Sequence, residues 1–195
     1  MTFRLVVLAG SILFATGLNS TTALASSNNT YCGADVSTWT SSVAPELDGF
    51  WEVKNGVGTL SMMGRTMALP AGDYSDGAIE TATDGTMTIM SSELQGTYPV
   101  EFVQEGKWNF DLKEDTPLDS RDVLTTLDLG VLLGCDPNTL PRLHASGTFA
   151  EEGGTVAFDL YLFVVSNDLM YGATKGKIVS PQGNGTATRL VTFSR

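Results

Sequence analysis

The side chains able to do chemistry are few. His144 is the one imidazole in the chain, and a Ser-His-Asp centre needs it beside an activated hydroxyl. No Gly-x-Ser-x-Gly turn occurs, and Ser146 follows on the same strand face. His144 therefore reads as a strand or loop residue without chemistry. The acidic pairs Asp73 with Asp76 and Glu151 with Glu152 have the types for glycoside hydrolysis or calcium binding. Both sit at Gly-flanked turns, where solvated carboxylates are ordinary, and Asp73 to Gly77 lacks the ligand spacing and closing Glu of a calcium loop. Met62, Met63, Met67, Met87 and Met90 could offer thioethers to Cu(I). They are dispersed along strands with a single His in the chain, so they read as adaptable lining of a core or an apolar cavity. The expectation is a protein that is not an enzyme, with no metal and no cofactor.

The segments that must carry these residues alternate apolar and polar positions. Turn signals recur through the chain, among them Asn55-Gly56, Asp84-Gly85, Glu105-Gly106, Gly153-Gly154 and Gly183-Asn184-Gly185. Between them, Lys107 to Lys113 sets Trp108, Phe110 and Leu112 on one face. Val156 to Val165 sets Val156, Phe158, Leu160, Leu162 and Val164 on a continuous apolar face, while the opposite face is half polar and half covered. The other expected strands are Gly49 to Asn55, Val57 to Met63, Ala78 to Thr83, Thr86 to Ser91, Tyr98 to Gln104, Leu143 to Glu151, Met170 to Val179 and Thr186 to Ser194. Eight to ten such strands joined by short connections make an antiparallel meander, and closing it into a barrel removes its edges. One segment breaks the pattern. Ser120 to Leu133 predicts a short helix before the last strands, capped by Asp119 or Ser120 and ending near Gly134.

Residues 1–25 read as a secretory signal peptide: Arg4, an apolar stretch from Leu5 to Leu18, and Ala23-Leu24-Ala25 at the cut. The stretch is too short and Gly-interrupted to span a membrane. The product is exported, periplasmic or secreted, and in such a compartment Cys32 and Cys135, the only cysteines, have one intramolecular pairing. That disulfide tethers a loose lead, residues 26–46, to the domain over 47–195. With 22 acidic against 11 basic residues and a net charge of -11, clustered cations for nucleic-acid binding are missing.

Leu47-Asp48-Gly49-Phe50-Trp51-Glu52-Val53 places a Gly-x-Trp on the first expected strand, after an export signal and a lead. This resembles the opening motif of lipocalins and related calycin barrels. The resemblance implies an eight-stranded up-and-down barrel in which Gly49 and Trp51 close one end, and a basic residue on the last strand across the Trp face. Arg189 is the first choice for that residue and Arg195 the second. A β-sandwich with Trp51 in its core satisfies the same alternation.

Two functions follow from this reading. The first is a carrier that holds a small apolar or lipid-like ligand inside the barrel, with Met87, Met90, Phe102, Trp108 and Phe158 as expected wall residues. The second is a module that binds an exported protein, such as a barrel inhibitor of a protease, inserting the lead or a loop into its partner. An open interior of several hundred cubic ångströms favours the carrier and a filled one the binder.

Overall fold

The computed structural model describes residues 31–92, 94, 96–108, 124–151 and 153–195. The expected signal segment 1–25, the alternating stretch 109–113 and the expected cap at Asp119 or Ser120 lie outside these residues.

Among the described residues, nine antiparallel strands form one sheet: β1 (Gly49–Met62), β2 (Arg65–Leu69), β3 (Tyr74–Thr81), β4 (Met87–Ser91), β5 (Gly96–Phe102), β6 (Arg142–Glu151), β7 (Gly154–Ser166), β8 (Leu169–Ser180) and β9 (Gly183–Ser194). Neighbours in sequence are neighbours in space, except that β1 pairs β3 along its first half and β2 along its second. On its other side β1 pairs β9 from Glu52 opposite Ser194 to Met62 opposite Gly185. That seam closes an eight-stranded up-and-down barrel, with β2 as an extra strand.

Two of the expected strands are one. Asn55-Gly56 has the composition of a turn, but β1 runs through it, and the register with β9 shifts between Asn55 and Gly58. Two residues, Gly56 and Val57, there oppose Leu190, which is a β-bulge. The reversal comes later, at Met63 and Gly64. Their φ values of 52° and 73° are the left-handed pair of a tight hairpin loop. This turn produces β2, which the sequence reading does not contain.

The barrel buries two apolar layers. Inside, Phe158, Leu160, Leu162 and Val164 of β7 meet Trp51 and Val53 of β1, Ile79 of β3, Ile89 of β4 and Phe193 of β9. Outside, Phe163, Tyr171, Ala173 and Leu190 of β7, β8 and β9 are buried beneath a cover built around Leu129 and Leu140. The half-covered outer face expected for β7 is this second layer. Its cover includes α3 (Thr126–Leu133). Thr125 caps that helix, in a reciprocal box with Asp128, rather than Asp119 or Ser120. The helix ends at Gly134 in the left-handed conformation, φ 70°. The next residue, Cys135, is joined to Cys32, with Cα atoms 6.5 Å apart.

The lead is not loose over 36–47. It forms α1 (Val36–Thr38), a π-helical turn (Trp39–Val43) and α2 (Ala44–Leu47). Asp35 starts it by accepting from the Thr38 N–H at 2.8 Å. Ser and Thr dominate the composition of the lead, yet Trp39, Val43, Ala44 and Leu47 recur at helical spacing, and all are buried against the barrel interior. Burying such a stripe outweighs the weak helix preference of the residues between.

Candidate functional site

The lead helix and Trp51 fill one end of the barrel. Trp51 is 2 % exposed and donates its indole N–H to the Leu47 carbonyl at 2.9 Å. The cation across its face is Arg195, 4.3 Å from the ring centroid, and not Arg189. Register explains the correction. Ser194 pairs with Glu52, which brings Arg195 to Trp51, whereas Arg189 pairs with Gly58, roughly 20 Å further along at about 3.3 Å per residue. Arg195 also donates to the carbonyls of Glu46, Asp48 and Asn167, tying the lead helix to the β7–β8 turn.

Beyond this closed end the interior is not filled. A cavity of about 490 Å³ lies between β1 and β7, β8 and β9, with the exposed Ser92 and Glu151 at its mouth. Its walls are mostly apolar: Val53, Leu69, Phe149, Phe158, Ile178 and Val191 are representative. One feature keeps it open. On β8 the inward position between Thr174 and Ile178 is Gly176, where an added Cβ would find only ordinary contacts, with Val156 at 3.6 Å and Ala187 at 3.9 Å. Away from the cavity, β5 and β6 pair only from Val100 to Phe102, and packed rings continue the wall from there. Tyr98 stands edge-on to Phe158 with centroids 4.8 Å apart and lies over Gly147, where a Cβ would come within 2.2 Å of its ring.

Polar groups enter at one side. Asn55, Thr174 and Arg189 line the cavity. Arg189 Nη2 donates to the Pro70 carbonyl at 2.8 Å, and Nε is shut off from solvent with no hydrogen-bond partner. The segment linking β2 to β3 is held there by the Gly72 N–H, which donates to the Asn55 carbonyl at 2.8 Å.

Of the five expected wall residues, Phe158 lines this cavity. Met87 belongs to the interior but is packed into the core. Met90 sits one residue from Ile89 and so takes the opposite, outer face by alternation. Phe102 packs on Trp39 at the closed end, centroids 5.9 Å apart. Trp108 lies outside the barrel, with its ring near Tyr161 and Phe163. There it covers the buried Arg142, whose guanidinium is 5.4 Å from the Trp108 centroid and donates to the Gln104 and Gly106 carbonyls. Burial lowers the pKa of Arg142. Sequence reasoning missed Arg189 as a cavity residue, although the signal was present: Ala187, Arg189, Val191 and Phe193 share one parity of β9, so a cation stands in an apolar row.

The remaining candidates do not assemble into a reactive centre. His144 is held on the outer surface, Nε2 3.1 Å from Asp159 and Nδ1 3.6 Å from Glu101, with its ring against Tyr161. Asp159 thus holds one nitrogen, and Glu101 stands beyond hydrogen-bonding distance of the other. Among the described residues no group of three or more His, Cys, Asp or Glu could hold a metal. Met63 and Met67 are exposed while Met87 is buried, so the methionines do not converge. Glu152 lies outside the described residues. A second, shallower hollow of about 700 Å³ runs between Trp108 and α3. No helix of the described residues is long and apolar enough to cross a membrane. Neither protein-family profiles, nor curated proteins, nor solved structures match this chain.

Proposed function

We propose that the protein is an exported, lipocalin-like carrier that holds a small apolar or lipid-like molecule inside its barrel, and is not an enzyme. The observation that carries this reading is the 490 Å³ apolar-walled cavity behind a plugged end. Its size falls within the ordinary range of small-molecule sites, and an interior kept only for stability would be filled. A disulfide across 103 positions of sequence suits an oxidising compartment. The inhibitor alternative inserts the lead or a loop into its partner, and the described part of the lead, with its apolar side buried in the barrel end, counts against the first of these forms.

The test is native mass spectrometry of protein purified from its own host, together with titration of a fluorescent fatty-acid probe. A co-purified apolar mass and saturable probe binding are expected. Gly176→Leu should fill the cavity from its own wall and abolish probe binding while the protein still melts cooperatively. A clean apo mass together with no probe binding would overturn the carrier reading.

A further inference from the structure

We infer that Arg189 anchors an anionic head group, so that the molecule held in the cavity is an amphiphile carrying one carboxylate on an apolar body. This deepens the carrier reading and rests on it. Arg189 is the only cation among the described residues lining the cavity. A guanidinium stays charged at any ordinary pH and presents five N–H donors in a planar fork. Its side chain is half-buried in the cavity wall, where a charge with fewer water partners gains from an acceptor of opposite sign. Here one terminal nitrogen meets the Pro70 carbonyl, Nε meets nothing, and none of the ion pairs among the described residues includes Arg189.

The backbone around the group keeps it approachable. The β1 bulge and the β2–β3 link bring Asn55 and Gly72 to its side. A Cβ on Gly72 would stand 3.9 Å from Nη1, so glycine leaves that flank of the fork free of side chain. Carbonyl contact supplies no negative charge, whereas a carboxylate supplies both that charge and an acceptor for the outer nitrogens of the fork. The stoichiometry of charge favours a monoanion. One cation faces the cavity, Glu151 stands at its mouth, and the chain carries a net charge of -11, so a phosphate dianion would meet more repulsion than attraction. The apolar body would then lie along Phe158, Val191 and Phe193.

Dodecanoic acid and dodecanol, equal in chain length and unequal in charge, separate the head-group claim from the cavity claim by titration calorimetry. The unmodified protein should bind the acid about ten-fold tighter than the alcohol, or more, as one charge-assisted hydrogen-bonded contact warrants. Arg189→Met should bring the acid down to the level of the alcohol, and Arg189→Lys should keep part of the preference. The comparison on the unmodified protein stands even if Arg189→Met fails to fold once its tie to Pro70 is lost. Equal affinity for acid and alcohol overturns the role of Arg189 and leaves the carrier reading standing. Binding of neither probe overturns both.

Discussion

Opening the bond between Cys32 and Cys135 gives the most quantitative test of how the barrel is held. The bond joins positions 103 apart in sequence. In the unfolded chain a loop of that size costs entropy that, by the chain-closure relation, amounts to about 4.7 kcal/mol at room temperature. The folded state gives up little directly when the bond opens, because the lead keeps its packing through Trp39, Val43, Ala44 and Leu47 and the Gly33 N–H still donates to the Thr139 carbonyl at 2.9 Å. The Cys32→Ser, Cys135→Ser double variant should therefore keep the native circular dichroism spectrum and lose roughly 4–5 kcal/mol in denaturant unfolding. At about 2–4 °C per kcal/mol for a chain of this size, its melting temperature should fall by roughly 10–20 °C. The chain-entropy account also requires the folding rate to fall more than the unfolding rate rises, because the effect lies in the unfolded state. A loss below about 1 kcal/mol, or one expressed wholly as faster unfolding, would refute the reasoning.

Three further outcomes follow. Gly147→Ala should cost about 1–3 kcal/mol, the usual range for overpacking, because the new methyl displaces the Tyr98 ring; urea unfolding measures it. Arg195→Ala should destabilise the closed end by roughly 1–2 kcal/mol through loss of the cation over Trp51, and it should change the tryptophan fluorescence of the folded state. Burial, then a hydrogen bond to Glu46, raise the Tyr31 phenol from 10.0 to about 12. A raised folded-state value means that this group contributes stability below pH 10 and loses it as pH climbs towards 12. Phenolate absorbance should accordingly show a late-titrating tyrosine that vanishes in Tyr31→Phe, and the variant should lose less stability than the parent over that alkaline window.

What the sequence discloses here is parity, and what it hides is register. Alternation in Val156 to Val165 predicts both faces of β7, down to the buried Phe163 on the outer one. Two cysteines leave one intramolecular pairing, and that bond is formed. Asn55-Gly56 misleads because the same dipeptide serves a turn and a bulge, and only the partner strand decides between them. The choice between Arg189 and Arg195 fails for the same reason: both share one parity of the last strand, and the pairing with β1 determines which of them reaches Trp51. Trp108 is misplaced because an aromatic residue on an alternating stretch looks the same whether its apolar side meets the barrel interior or the outer layer. The cavity itself depends on Gly176. A single glycine leaves no mark in hydropathy.

The β1–β9 seam carries a kinetic consequence. Met62 pairs with Gly185 and Glu52 with Ser194, so the cylinder is sealed by contacts of very high contact order, which form slowly because a long loop must close before any of them is rewarded. Until then both strands present open edges, and a half-wound sheet of this kind is a template for intermolecular pairing. Production of the protein should therefore be limited by how long that intermediate is kept apart from its copies, and less by the stability of the finished barrel.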